Sequence, residues 1–218
     1  MTNKILEEMG AFFDARVSGY EEHMLETVTG CKEGYRIMAG LLPESAESIL
    51  DLGCGTGLEL DEIFKLFPKL KVTGIDLSSG MLNKLKEKHQ NRNLNLIRAS
   101  YLDYELGSER YDGAVSFQTL HHFSHEEKRK LYAKLCKSLV KDGIYIEADY
   151  MAPTQEYEDF HYAENRRIRA EFGITTGYYH YDTPCTVNNQ VALLKEAGFK
   201  EVTKVWQEDN TVILTAKK

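Results

Sequence analysis

Two stretches of this 218-residue chain carry residue types at spacings suited to chemistry. In Ser48 to Asp61, S-I-L-D-L-G-C-G-T-G-L-E-L-D, three glycines alternate (Gly53, Gly55, Gly57) just after a carboxylate, Asp51. The second set is rich in imidazole, phenol and guanidinium. It comprises His121 and His122 in Q-T-L-H-H-F, then Asp149 to Asp182 with Tyr150, Tyr157, Tyr162, Tyr178, Tyr179, Tyr181, His161, His180, Arg166, Arg167 and Arg169. Glycines allow sharp backbone reversals and bring bare main chain to a ligand. Histidine can accept a proton near neutral pH, and arginine forks pair with carboxylates. The first set reads as a binding loop and the second as a place where a second molecule is held.

The spacing selects the ligand. A dinucleotide fingerprint is G-x-G-x-x-G, but Leu58 stands where its third glycine would fall. Asp51 also sets a negative charge where a pyrophosphate would approach, which disfavours phosphate. A ligand with a ribose and a positive charge suits the loop better. Val72 to Leu77, V-T-G-I-D-L, ends in Asp76, at the separation where an acid accepts hydrogen bonds from ribose hydroxyls.

These residues need a scaffold. Ile49 to Leu52 reads as a strand entering the glycine loop, and Leu60, Ile63, Phe64 and Phe67 mark the helix that follows. Lys71 to Asp76 is a second strand. Ser78 or Ser79 caps a helix with Met81, Leu82 and Leu85 on its apolar face. Leu94 to Ala99, Tyr111 to Phe117 and Ile144 to Ala148 are further strands. Ser124 and Glu127 form a capping box for the helix carrying Leu131 and Leu135. Thr186 caps a last helix that Gly198 ends. Glu201 to Gln207 and Thr211 to Ala216 flank Asp209-Asn210 as a hairpin. Before the first strand, Asn3 to Leu42 reads as helices, with Ile5, Met9, Phe12 and Phe13 on one face and Pro43 as the stop. Alternating strands and helices predict an α/β fold with a mostly parallel sheet and helices on both faces.

Asp51-Leu-Gly-Cys-Gly-Thr-Gly57 with Gly74-Ile-Asp76 resembles the first two motifs of the class I S-adenosylmethionine (SAM)-dependent methyltransferases. The resemblance runs from about Ser48 to Lys218 and is least specific across the tyrosine-rich stretch. It implies a Rossmann-like seven-stranded sheet closed by an antiparallel C-terminal hairpin. It further implies one methyltransferase domain over residues 1–218, a helical cap at 1–43 and a substrate lid at about 149–183. SAM is the implied cofactor and S-adenosylhomocysteine the product. The residues implied to bind it are Asp51, Gly53, Cys54, Gly55, Gly57, Asp76, Leu77, Met81, Leu102, Asp103 and Phe117, with Arg16 and Tyr20 of F-F-D-A-R-V-S-G-Y reaching its methionine end. Asp103 would accept from the adenine amino group, and Met81 would pack on the ring.

Composition bounds the rest. A 42% hydrophobic content supports one good core. The net charge of -7 speaks against gripping nucleic acid. Cys31, Cys54, Cys136 and Cys185 lie far apart, with no C-x-x-C pair and no histidine at ligand spacing, so neither a zinc site nor a disulfide framework is indicated. No run reaches membrane-spanning length, and the expectation is a soluble cytoplasmic protein, a monomer or homodimer.

Methyl transfer from a sulfonium depends on aligning the acceptor with the methyl group, so the sequence shows binding residues more clearly than catalytic ones. His121 or His122 is the candidate base for a hydroxyl acceptor, with His180 a second candidate. Tyr150, Arg166, Arg169, Tyr178, Tyr179 and His180 are the lid candidates, and a lid arginine would hold a substrate carboxylate. The expected activity is methylation of a small molecule. A carboxy-SAM synthase and a SAM-binding regulator without turnover are the competing readings, and the glycine spacing disfavours an NAD-dependent oxidoreductase.

Overall fold

A computed structural model describes residues 6–218. Seven strands form one sheet: β1 (Ser48–Leu52), β2 (Lys71–Asp76), β3 (Asn93–Arg98), β4 (Tyr111–Phe117), β5 (Leu139–Tyr150), β6 (Glu201–Glu208) and β7 (Thr211–Lys217), in the order 3-2-1-4-5-7-6. The first five run parallel, and β7 pairs antiparallel with both β5 and β6. The order reverses direction between β1 and β4, so a crevice opens beyond their carboxyl ends.

Side chains alternate across the pleat and define two cores. Leu50 and Leu52 of β1 face a core that contains Leu131, Tyr132 and Leu135 of α6 (His125–Ser138) and Leu193 and Leu194 of α8 (Val187–Glu196). Ile49 faces the opposite core, with Tyr35 and Met38 of α3 (Cys31–Leu41), Leu60 and Ile63 of α4 (Leu58–Leu66) and Leu85 of α5 (Ser79–Lys88). Helices therefore cover both faces. The capping box of α6 forms as its sequence requires, with Ser124 and Glu127 satisfying each other's backbone groups.

The sequence and the structure part in three places. The N-terminal stretch is three short helices, α1 (Met9–Asp14), α2 (Tyr20–Glu26) and α3, because Gly19 and Gly30 interrupt it, the latter at φ 84°. The expected helical start at Asn3 and the apolar position of Ile5 lie outside the described residues. Strand β5 begins five residues early, at Leu139, and absorbs the expected Asp142-Gly143 turn as a bulge where the register jumps between Tyr111 and Gly113. The tyrosine-rich stretch holds one long helix, α7 (Gln155–Glu171), followed by an extended return to Thr186, the cap of α8.

Candidate functional site

At the β1 terminus the chain must turn in little space. Gly53 has φ 71°, and a Cβ there would fall 2.3 Å from the Thr119 hydroxyl, so no larger residue fits. Gly55 and Gly57 also have positive φ. The loop's amide at Gly55 donates to Asp76 Oδ2 at 2.9 Å, while Ser78 N–H donates to Oδ1 at 2.8 Å. These bonds fix the Asp76 carboxylate against the loop. Its burial still pushes its pKa up, because two backbone donors do not replace water.

Asp51 lies deeper. It is fully buried against the buried Glu59 in the first turn of α4, and outside that pair neither Asp51 oxygen nor Glu59 Oε1 has a hydrogen-bond partner among the described residues. Burial raises the pKa of both groups, and their mutual repulsion raises Asp51 further; Glu59 reaches about 7. Orphaned buried acids are costly unless a cation or donor satisfies them. Asp51 and Glu59 thus fit a ligand carrying positive charge, and Asp76 fits a pair of hydroxyls.

Asp103 sits in the turn after β3, whose shape is held by Lys134 Nζ donating to the Leu102 and Tyr104 carbonyls. Its carboxylate accepts the Tyr178 hydroxyl at 3.0 Å through either oxygen. Asp51, Asp76 and Asp103 therefore stand at or just beyond the carboxyl ends of three adjacent strands.

The N-terminal segment and the tyrosine-rich stretch cover this crevice together. Asp14 accepts from Ser78 Oγ and Gly80 N–H, which ties α1 to the start of α5. Met9 N–H donates to the Tyr178 carbonyl and His180 N–H to the Glu7 carbonyl, each at 2.9 Å, around an antiparallel bridge between Glu8 and Tyr179. The His180 ring lies flat on Phe12 at 3.6 Å.

Beside β4 and β5 this roof overhangs an open-mouthed chamber of about 920 Å³, lined by Phe12, Arg16, Tyr20, His121, His122, Tyr150, His180 and Asp182 among others. His121 Nδ1 is 2.6 Å from the buried carboxylate of Asp149, and its Nε2 is turned toward Asp182 Oδ1 at 3.7 Å. Burial alone would lower the His121 pKa, but Asp149 outweighs it and the net shift is upward. His122, 3.3 Å from Asp182 Oδ1, is lowered by burial and by His121. Burial and the same imidazoles bring His180 down to about 4. The chamber thus holds one basic imidazole oriented by a carboxylate and two that stay neutral, an arrangement that can accept a proton.

The structure does not bring every expected residue to the site. Arg167 is on the outer face of α7, held by Glu164 and Glu171, and Arg166 is exposed. Arg169 donates to the Gly177 carbonyl and lies over the Tyr179 ring. None of the three lines the chamber, because the helical period turns this charged run outward. The Phe117 ring is taken up by Tyr35 and the surface of Gly34. The Cys54 thiol packs against Gly74, and Met81 is buried in the protein. Arg16 lines the chamber but is already paired with Glu7 at 3.0 Å and stacked on Phe12. Leu77 packs against the core, and its carbonyl accepts from Arg98.

Sequence reasoning missed Glu59, Asp149 and Asp182. Asp149 had a usable signal, an acid ending the strand next to the one that leads into the two histidines. Asp182 sits in H-Y-D-T-P beside His180, which had been singled out.

A family model described as "Methyltransferase domain" matches residues 49–143. The chain is 25% identical to the carboxy-S-adenosyl-L-methionine synthase of Nautilia profundicola over 99% of its own length and 97% of that protein's. It is 40% identical to the malonyl-[acyl-carrier protein] O-methyltransferase of Priestia megaterium, over 40% of this chain and 32% of the relative. The human N-acetylserotonin methyltransferase, solved with SAM, superposes with a TM-score of 0.63 at 15% identity, covering 95% of this chain and 55% of the human one.

Proposed function

The chain belongs to the class I SAM-dependent methyltransferases, and from that premise we propose that it methylates a small molecule held in the chamber, with His121 as proton acceptor. The observation that carries this reading is the Asp149–His121 pair, buried at the carboxyl ends of β4 and β5 beside the glycine loop.

SAM supplies a methyl group activated by a cationic sulfur. On this reading Asp76 accepts from the ribose hydroxyls, and Asp103 accepts from the adenine amino group. The buried pair Asp51 and Glu59 faces the positive charge of the methionine end. Asp149 accepts the Nδ1–H of His121, which leaves Nε2 free to take the acceptor's proton as the new bond to carbon forms. Phe12, Phe13 and His180 close the roof and exclude water.

The test is a panel of small hydroxyl, amine and thiol acceptors, with S-adenosylhomocysteine release as readout. Release that depends on an acceptor and falls in His121→Ala, with S-adenosylhomocysteine binding unchanged, supports the reading. Failure of the wild-type protein to bind S-adenosylhomocysteine overturns it.

A second reading, carboxy-SAM synthesis, draws on the full-length match to the Nautilia protein and on the presence of Arg16 in the chamber. It needs a cation beside the sulfonium to hold a carboxylate, and Arg16 already gives three of its five N–H groups to Glu7 and the Phe12 carbonyl. Mass spectrometry of the reacted nucleoside separates the two: a carboxylated SAM supports this second activity, whereas S-adenosylhomocysteine supports methyl transfer.

A further inference from the structure

Away from the chamber, at the base of the tyrosine-rich segment, the fold gathers three side chains that the sequence scatters: His125 at the first position of α6, Glu158 near the start of α7, and Cys185 just before α8. Their ligand atoms all lie within 4.8 Å of one another. We propose that they form a zinc-binding site that pins the base of this segment to the body of the protein.

The donor set is the first argument. One imidazole nitrogen, one carboxylate oxygen and one sulfur match a borderline ion such as Zn2+, and calcium or magnesium would not accept the sulfur. Tetrahedral bonds of about 2.0–2.3 Å put donors roughly 3.3–3.8 Å apart, between the 2.7 Å of the His125–Glu158 pair and the 4.8 Å that bounds the cluster.

The second argument is orientation. His125 Nε2 is 2.7 Å from Glu158 Oε1 as an ion pair, and the same imidazole also reaches Cys185, so the three groups face one another.

The third argument is the surrounding shell. Asn189 Nδ2 donates to both oxygens of Glu158, at 2.8 and 3.0 Å, and Thr186 N–H also donates to it. Lys128 Nζ and the Tyr162 hydroxyl reach Cys185 Sγ at 3.3 and 3.4 Å. Outer partners of this kind orient ligands and favour the anionic sulfur that a metal requires. The Lys128 charge is opposed by the nearby Glu147 and Asp149. Glu158 and Cys185 are buried, while the His125 side chain is 38% exposed and offers a way in.

The experiment uses the full chain, dialysed against a chelator and titrated first with Zn2+ against a chromogenic competitor and then with Co2+. About one equivalent should bind, and Co2+ should give a thiolate-to-metal charge-transfer band. Cys185→Ser should abolish the band, and His125→Ala should weaken Zn2+ binding at least about tenfold. Asp182→Asn, in the chamber, should leave metal binding intact. S-adenosylhomocysteine titration of each variant reports on the fold and on the cofactor site independently of the metal. The proposal is overturned if the wild type binds no metal, if binding survives both Cys185→Ser and His125→Ala, or if it disappears in Asp182→Asn instead.

Discussion

At the ends of β1 and β2 the ligand-facing groups come from two short contiguous stretches, whereas the chamber beside β4 and β5 draws Phe12, His121, Tyr150 and Asp182 from segments spread over most of the chain. The first region is fixed by local backbone chemistry: a glycine that admits no Cβ, and an aspartate bonded to a loop amide and to the Ser78 amide two residues on. The second exists only once the sheet has formed and the roof has closed. On the proposed function, recognition of the cofactor and choice of acceptor are encoded separately, and variants in the two regions should fail in different measurements.

The largest effect should come from the chamber. His121→Ala is expected to lower turnover by about a hundredfold to ten-thousandfold, the range of a lost general base, with an unchanged dissociation constant for S-adenosylhomocysteine. Because Asp149 holds the His121 pKa above its ordinary value, wild-type turnover should rise with pH as that proton leaves. In Asp149→Asn the same limb should move to lower pH. A profile that does not move would show that the pair has no part in the reaction.

Next comes the binding loop, with the opposite signature. Asp76→Ala should weaken S-adenosylhomocysteine binding by about tenfold to several hundredfold, since charged hydrogen bonds contribute about 1.5–3 kcal/mol each. Calorimetric titration measures it, and equal affinity in the variant would misplace the ribose.

A smaller effect concerns the buried acids. Their folded pKa values lie above the unfolded ones, so their contribution to stability is present at low pH and is lost as pH rises through the folded value, about 7 for Glu59. Thermal melts of the ligand-free protein should thus fall between about pH 5.5 and about pH 8. Glu59→Gln should raise the melting temperature at the higher pH by a few degrees, as about 1 kcal/mol does in a domain of this size. If the variant melts lower at both pH values, the pair is not the source of the cost. Smallest of all, Arg167→Ala should leave both melting temperature and Michaelis constants where they were, because its partners are on an exposed helix face.

The same division explains what the sequence disclosed. The strand-loop-helix at Ser48, the S-x-x-E box and the Asp209-Asn210 hairpin are set by neighbours a few residues away, and each appears where its pattern places it. The sheet order follows from the alternation of strands and helices. The pairing of Asp149 with His121, the burial of Glu59 against Asp51 and the outward turn of Arg166 to Arg169 are tertiary facts. A charge run reads alike on either side of a helix until the partner surface is known. The cysteine spacing likewise gave no hint of Cys185 meeting His125, because their approach depends on α6 and α7 packing together.

The short antiparallel bridge between Glu8 and Tyr179 joins two covers that are far apart in sequence. Neither can swing away without breaking the other's backbone bonds, and on the proposed function that couples admission of the nucleoside to admission of the acceptor. On the proposed function, the unzipping of those two main-chain hydrogen bonds becomes a step that can set the pace of the whole cycle.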